Sequence, residues 1–370
     1  MKSSSRGTVQ PYWIGVCGPV EGGNRYLTRT ATEAGLRRVL EGYALAGVSL
    51  LQRDERGFVN DNWIVGTAQG RFFLKHRHPD LCSLDIIQAQ HDLINHLCQV
   101  GFPAPVLVRN AGGATLSVVE GECYEIQRYI EGMPCDPARP EHLAEAAVAL
   151  GRYHTLVREF VPVALACQGD LFHPSLARAN LVRLRQAWEI PKEPELVHTT
   201  ERLEGALDDL AARFDGHSSL PRVVIHGDYY AENLLFYGDR IVGIVDYDKA
   251  CWQPRVLELA TSLIYFASPR PARLTRVIYP GVLDWGLLSH FLHYYGHMVF
   301  PEEREIQALP DYIACIWLQI SLRCLLAKYP HRPAWAREAL EEVLVLGDWA
   351  SANASELRDL AQSSVRSSYV

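Results

Sequence analysis

Residues 226–248 read HGDYYAENLLFYGDRIVGIVDYD, and this stretch is the strongest signal in the sequence. It fits the spacing H-x-D-x-x-x-x-N, with a further aspartate thirteen residues later at the end of the apolar run IVGIV: His226, Asp228, Asn233 and Asp246. The apolar runs on either side of Gly238 predict a strand, a loop and a β-hairpin. The loop gives Asp228 and Asn233 separate directions, and the hairpin returns Asp246 to the same site.

Phosphoryl transfer needs this set of groups. One carboxylate must orient the acceptor hydroxyl and take its proton, and a carboxamide with a second carboxylate must hold Mg²⁺ on the phosphates. A lone HGD would favour the alternative, a turn whose acids are solvated. Four such residues in a strand, loop and hairpin favour the phosphoryl-transfer site.

Length and composition bound the rest of the chain. The 370 residues (41.6 kDa) predict about two domains. With 48% apolar and 21% charged residues, the composition excludes disordered, collagen-like and coiled-coil chains. A net charge of −7 argues against nucleic acid as a partner. The first residues lack the apolar core of a signal peptide, and the apolar run 313–327 contains polar residues. We therefore expect a cytoplasmic protein without membrane contact, in which 313–327 is a buried helix.

The cysteines and histidines offer a metal site as an alternative. Nine cysteines, an odd number without a C-x-x-C pair, predict reduced thiols that are mostly buried. His290, His293 and His297 share one face if their segment is helical. Such a face would suit a metal ion, but the surrounding aromatic residues favour a helix that lines a core or pocket.

Periodicity divides the chain into a β-rich part and a helical part. The first thirty residues show no periodicity, and the pattern changes from strand-rich to helical at 130–136. We therefore predict an irregular segment 1–30, a nucleotide-binding lobe 31–130 and a catalytic and substrate-binding lobe 131–370. The fold class is α+β, with a small mixed β-sheet followed by a mainly helical lobe. Predicted helices cover 31–46, 84–99, 141–159, 199–214 and much of the chain from 255 on, and predicted strands lie at 48–51, 62–67, 71–76, near 105–109, 115–119 and 123–130.

On these motifs, residues 45–300 resemble the kinase-like aminoglycoside and choline phosphotransferases. Their broad phosphotransferase enzyme family includes homoserine-kinase-like, stress-response-kinase-like and spore-coat-kinase-like members. The resemblance implies a two-lobed protein-kinase-like fold that uses ATP and Mg²⁺. It assigns the catalytic role to Asp228, metal binding to Asn233 and Asp246, and the bracing of the catalytic loop to His226.

The N-terminal lobe supplies an independent test of this resemblance. A kinase needs a lysine late in its third strand to reach the α- and β-phosphates, and Lys75 in GRFFLKHR lies there. The turn at 57–62, which contains Asn60, resembles a shortened phosphate loop, although it is not G-x-G-x-x-G. In EIQRYIEGMP (125–134) the resemblance implies the hinge, where adenine would bond to the backbone near Gln127 to Tyr129.

One departure concerns the partner of Lys75. The family places a glutamate in the following helix, but here no glutamate occurs between Glu55 and Glu120, and Gln90 takes its place. We expect Gln90 to hydrogen-bond Lys75 and Gln90→Glu to strengthen ATP binding. Asp85 or Asp92 are alternatives if the register differs.

Two further acids and the acceptor remain open. Asp248 either supports the metal or caps a turn, and the resemblance gives Glu258 a structural tie to the catalytic loop. We expect transfer of the γ-phosphate of ATP to a small-molecule hydroxyl, in a pocket that His290, His293, Tyr294, Trp317 and Arg323 could line. The alternatives are a stress-response-type Ser/Thr protein kinase and a pseudokinase or structural protein.

Overall fold

The computed structural model describes residues 33–45, 47–54, 60–77, 83–166, 169–268 and 283–366. The predicted irregular segment 1–30 and the proline-rich break near 269–271 lie outside these residues. The described chain is β-rich first and helical afterwards, which confirms the α+β class.

The N-terminal β-rich part is one five-stranded sheet. Its strands are β1 (Leu50–Asp54), β2 (Asp61–Thr67), β3 (Gly70–His76), β4 (Leu116–Val119) and β5 (Glu122–Arg128). They lie in the order β1, β2, β3, β5, β4, and every pairing is antiparallel. The expectation of a mixed sheet was wrong, because the chain that leaves β3 returns along β4 and runs back through β5. The strand expected near 105–109 is a single bridge, Leu107 to Gln127, since Pro103 and Pro105 lack N–H donors.

Two helices accompany this sheet: α1 packs against it, and α2 also packs against the helical part. Helix α1 (Glu33–Gly42) buries Leu36, Val39 and Leu40 in a cluster with apolar side chains of β2, β3 and β5. Helix α2 (Leu84–Gln99) has the predicted bounds, and its Leu93, Ile94 and Leu97 join the large cluster of the helical part. Helix α2 therefore connects the sheet to the helical part.

The helical part surrounds one long central helix. Its helices are α3 (Pro140–Leu156), α4 (Val163–Ala166), α5 (Pro174–Ala187), α6 (Pro194–Phe214), α7 (Arg255–Phe266), α8 (Trp285–Gly296), α9 (Glu303–Lys328), α10 (Ala336–Ala352) and α11 (Ala354–Arg366). Helix α9 is long and apolar enough to span a membrane, yet 89% of its most apolar stretch of 18 residues is buried inside the protein. The predicted buried helix at 313–327 is thereby confirmed.

Short strands position the motif of 226–248. They are β6 (Met133–Pro134), β7 (Arg222–Ile225), β8 (Leu234–Tyr237), β9 (Arg240–Ile244) and β10 (Cys251–Pro254). Strands β8 and β9 form the predicted hairpin, with Gly238 at a φ of 60° in the turn. Strand β10 pairs antiparallel with β7, so that Cys251 faces Ile225. This pairing brings the segment that follows β7, which carries His226 and Asp228, next to the segment that precedes β10, which carries Asp246 and Asp248.

Among the cysteines that the structure describes, all but Cys324 follow the prediction of a reduced thiol. Cys98, Cys123, Cys135, Cys251 and Cys315 are free thiols. Cys324 is disulfide-bonded, so the expectation of a reduced thiol was wrong there. Pairing depends on which sulfur atoms meet in space, and spacing along the chain does not reveal it. Within the described ranges, no three His, Cys, Asp or Glu side chains form a metal cluster.

Candidate active site

The loop after β7 carries His226, Gly227 and Asp228, and it requires its glycine. Gly227 has a φ of +79°, and a Cβ there would lie 2.4 Å from the Lys249 carbonyl oxygen. Only glycine adopts this conformation without strain and leaves room for the neighbouring backbone. The close approach brings the loop of Asp228 against the segment that follows Asp246.

A buried glutamate anchors this loop from α7. The backbone N–H groups of His226 and Gly227 donate to the Glu258 carboxylate at 3.1 and 2.7 Å. His154 on α3 contacts the same carboxylate at 2.9 Å. Glu258 is 2% exposed, and two backbone bonds to a charged acceptor are strong in such surroundings. The structural tie expected of Glu258 is present.

His226 joins the catalytic loop to the end of the hairpin. The Asp228 N–H donates to His226 Nδ1 at 3.2 Å, which leaves Nε2 to donate to the Val245 carbonyl at 3.1 Å. Burial lowers the pKa of His226, so the ring is neutral. His226 therefore fixes the spacing between Asp228 and Asp246 and does not itself face the open side of the site.

Asp228 has a basic partner that sequence reasoning missed. Lys249 Nζ lies 2.7 Å from Asp228 Oδ1. Burial raises the pKa of Asp228 above its ordinary value, while the Lys249 ammonium opposes that shift. A lysine one residue after DYD gave no signal, because only the turn at Tyr247–Lys249 and the close pass at Gly227 bring it back.

Asn233 and Asp246 meet Asp228 through a short hydrogen-bond chain. Asn233 Nδ2 donates to the Asp228 carbonyl at 2.9 Å, and the Val245 N–H donates to the Asn233 carbonyl at 3.0 Å. Asp246 adopts a left-handed conformation, with a φ of 70°, a strain that clusters at functional sites. Its side chain is 42% exposed. The Asn233 amide oxygen and the Asp246 carboxylate are the hard oxygen donors that Mg²⁺ takes.

Lys75 lies between two carboxylates of the same loop. Its Nζ is 3.0 Å from Asp246 Oδ1 and 2.9 Å from Asp248 Oδ1. Burial by itself would lower the pKa of Lys75, but the two acids outweigh it and hold that pKa above its ordinary value. Burial would likewise raise the pKa of Asp246, which Lys75 and Lys249 instead hold below its ordinary value. The sequence had left the role of Asp248 open, and Asp248 is a partner of Lys75.

The expected hydrogen bond between Gln90 and Lys75 is not formed. Gln90 does face inward, but its Oε1 accepts from Arg77 Nη2 at 3.0 Å and its Nε2 donates to the Asp248 carbonyl at 2.7 Å. Gln90 therefore holds the backbone of Asp248, and Asp248 in turn holds Lys75. Neither Asp85 nor Asp92 is the partner of Lys75 within the described residues.

Arg77 is the second residue that sequence reasoning missed. Its guanidinium is 2.6 Å from Asp248 Oδ1 and 2.8 Å from Glu125 Oε2, and His91 Nε2 lies 3.0 Å from the same Glu125 atom. Burial would raise the pKa of Glu125, yet Arg77 and His91 hold it well below its ordinary value. The signal was available, because side chains alternate along a strand and the Arg77 side chain follows that of Lys75 by two residues.

The remaining predicted nucleotide contacts have partners within the protein. Asn60 Nδ2 donates to Asp248, while residues 55–59 of the expected phosphate loop lie outside the described chain. Gln127 Nε2 donates to Glu125 at 2.7 Å. The backbone N–H groups of Arg128 and Tyr129 donate to the Val106 and Arg71 carbonyls. These N–H groups are thus not available to adenine in this arrangement.

The five residues expected to line the acceptor pocket have different neighbours in the helical part. Trp317 packs on Trp349, with ring centroids 5.6 Å apart, and His290 Nε2 bonds to the Pro140 carbonyl. His293 and Tyr294 contact each other and His297. Arg323 instead shares its surroundings with Tyr265, whose ring centroid is 5.5 Å from that of Tyr230.

Known proteins match this chain over most of its length. The model of the phosphotransferase enzyme family matches residues 51–290. A homoserine kinase of Methylobacillus flagellatus is 27% identical over 237 residues, which cover 62% of this chain and 67% of that protein.

Solved structures share the fold at lower identity. An aminoglycoside phosphotransferase from Alicyclobacillus acidocaldarius superposes with a TM-score of 0.62 at 18% identity, over 88% of this chain and 96% of that one. The amicoumacin kinase hAmiN, solved with AMP-PNP and Ca²⁺, gives a TM-score of 0.59 at 15% identity, over 87% and 93%. The kinase-like fold expected from the sequence is confirmed.

Proposed function

This chain belongs to the phosphotransferase enzyme family and is a kinase for a hydroxyl of a small molecule, and we propose that Asp228, Asn233 and Asp246 carry its reaction. The observation that supports this assignment is that Asn233 connects the other two residues through hydrogen bonds to their backbone segments. Asn233 binds the Asp228 carbonyl with its side chain and the Val245 N–H with its backbone. A base for the hydroxyl and oxygen ligands for a cation thereby lie side by side.

The reaction follows from these positions. The acceptor hydroxyl donates its proton to Asp228 while its oxygen bonds to the γ-phosphorus, and the bond from that phosphorus to the β-phosphate oxygen breaks to release ADP. Lys249, 2.7 Å from Asp228 Oδ1, favours the ionised carboxylate that accepts the proton. Lys75 would contact the α- and β-phosphates, and Asp248, 2.9 Å from Lys75 Nζ, would remain its partner if Asp246 held a cation.

The nucleotide is ATP with a divalent cation, which we propose to be Mg²⁺. The Asn233 amide oxygen and the Asp246 carboxylate would hold it, and they fit because Mg²⁺ takes hard oxygen ligands and keeps its remaining positions for water and phosphates. When bound, the cation compensates the charge of the phosphates.

The network around Lys75 also weighs against a pseudokinase. That alternative depended on the missing helix glutamate, which would leave Lys75 without an acid. Asp248 supplies the acid from the opposite lobe, at 2.9 Å from Lys75 Nζ. The chain therefore has both the groups for transfer and an ion pair for its lysine.

Replacement of Asp228 by asparagine tests the assignment. We expect Asp228→Asn to bind ATP·Mg²⁺ nearly normally and to lower kcat at least about a hundredfold, the scale of a positioned base. Turnover with homoserine, 3-aminopropanol, choline and an aminoglycoside as acceptors measures kcat, and titration calorimetry measures nucleotide binding. The matched control is Asp239→Asn in the hairpin turn, where an exposed aspartate pairs with Arg139.

Two results would contradict the role of Asp228 as the base. Near-normal kcat in Asp228→Asn would mean that another group takes the proton. Loss of nucleotide binding would make Asp228 a metal ligand or a structural residue. A wild-type protein that transfers phosphate to no hydroxyl acceptor would overturn the proposed function itself.

A further inference from the structure

Arg323 is a partly buried cation between apolar residues of the helical part. Its helix neighbours Leu322, Cys324 and Leu325 are each at most 1% exposed. Arg323 Nη2 is buried, and in the described part of the chain no group hydrogen-bonds to it and no carboxylate pairs with it. Burial lowers the pKa of Arg323 to about 10. Buried charges in proteins are ordinarily paired. The described residues supply no anion for this guanidinium.

The position of Arg323 connects it to the hydroxyl side of the active site. Helix α9 packs against α7, which carries Tyr265. The Tyr265 ring lies 5.5 Å from that of Tyr230, two residues after Asp228. Burial raises the pKa of Tyr265, the Asp228 charge adds to this rise, and Arg323 opposes it. Tyr265 therefore lies within electrostatic range of both Asp228 and Arg323.

Exposure and charge set Arg323 apart from the other residues of this group. Tyr230, Tyr265 and Arg323 are each partly exposed, whereas Asp228 is 8% exposed. Asp228 is balanced by Lys249 at 2.7 Å. Among these residues Arg323 is therefore the charge without a partner, and Tyr265, through its contact with Tyr230, links the surroundings of Arg323 to the loop of Asp228.

We infer that Arg323 binds a carboxylate of the acceptor, so that the substrate is a small hydroxy acid whose hydroxyl reaches Asp228. The inference depends on the proposed function, because Asp228 marks the hydroxyl end. A guanidinium binds a carboxylate through two parallel hydrogen bonds, which fixes orientation as well as charge. One unmatched cation fits a single negative charge better than a phosphate ester with two.

Paired acceptors that differ only in the carboxylate test this inference. L-Homoserine and 3-aminopropanol share their chain, amine and hydroxyl, and only homoserine has the carboxylate. We expect the wild-type kcat/KM to favour homoserine, and Arg323→Met to lower the homoserine/aminopropanol ratio by about 10- to 100-fold, mainly through KM. Arg323→Lys should restore part of that ratio. Arg304→Met is the control, since Arg304 is exposed in the first turn of α9.

Stability and binding without turnover provide a second readout. Removal of an unpaired buried charge should leave the melting temperature of Arg323→Met equal to or above that of the wild type. L-2-Aminobutyrate, which has the carboxylate but no hydroxyl, should raise the wild-type melting temperature and should not raise that of Arg323→Met. Propylamine, which has no carboxylate, should affect neither protein.

Three outcomes would overturn the inference while the proposed function stands. The first is an unchanged homoserine/aminopropanol ratio in Arg323→Met. The second is a wild-type protein that 2-aminobutyrate does not stabilise. A clear fall in the melting temperature of Arg323→Met without ligand would also overturn it, because Arg323 would then have a structural role. Failure of the proposed function is separate: no acceptor is phosphorylated, whether or not 2-aminobutyrate binds.

Discussion

Lys75 is a buried cation and Arg323 a partly buried one, but Lys75 has two carboxylate oxygens within 3.0 Å, whereas Arg323 has no acid in the described residues. Lys75 lies on the nucleotide side of the site, where the protein supplies every countercharge from its own loops. Arg323 lies on the acceptor side, where the countercharge is left to a ligand. A cation that is buried next to a carboxylate of the protein is therefore not marked as a binding residue. A cation that burial leaves without such a carboxylate does point to a ligand.

The largest effect should follow loss of the charge of Asp246. We expect Asp246→Asn to lower turnover at least about a thousandfold, because the cation on the phosphates loses a carboxylate ligand worth several kcal/mol. The melting temperature should change by less than about 4 °C, since Lys75 keeps Asp248 as its acid. Steady-state kinetics and thermal unfolding check both points, and Asp239→Asn again serves as control. Near-normal turnover would remove Asp246 from the metal site.

A smaller effect is expected at Asp248, and it separates positioning from metal binding. Asp248→Asn takes away the acid that Lys75 and Arg77 share. We expect the KM for ATP to rise about 10- to 100-fold, the range of a hydrogen bond between charged groups. The concentration of Mg²⁺ that gives half-maximal activity at saturating ATP should remain unchanged. If the required Mg²⁺ concentration rises, Asp248 is a metal ligand. The contrast between Lys75, which the protein itself pairs, and Arg323 would then no longer hold.

The smallest effect is expected at Gln90, and its sign reverses the expectation from the sequence. Gln90→Glu removes the amide that donates to the Asp248 carbonyl at 2.7 Å and places a further carboxylate against Arg77, which already pairs with Glu125 and Asp248. We expect the free energy of unfolding to fall by about 1–3 kcal/mol and activity to fall by no more than about tenfold. Urea denaturation and ATP kinetics measure the two effects. Gln88→Glu, on the exposed face of α2, is the control. Higher activity in Gln90→Glu would restore a direct role toward Lys75.

Local pattern was sufficient for the elements that carry the reaction. The strand, loop and hairpin of 226–248 follow from two apolar runs and the turn at Gly238, and α2 has the predicted bounds 84–99. Both depend on contacts between residues near in sequence, whose periodicity the chain displays directly. The hairpin unit that carries Asp228, Asn233 and Asp246 could therefore be predicted from the residues, whereas the kinase-like fold was an implication of the family resemblance.

Partners across the site were decided by tertiary structure alone. Lys75 and Asp248 are 173 residues apart, and the pattern indicated a glutamine as the partner of that lysine. Lys249 and Arg323 carried no distinctive spacing, and strand alternation placed Arg77 beside Lys75 without revealing its acids, since a long charged side chain takes whichever acid the packing brings within reach. The sequence determined which segments fold and which acids they carry. Which cation each acid meets, and which cation is left for a substrate, was decided by packing between distant segments, because electrostatic energy depends on distance in space and not on separation along the chain.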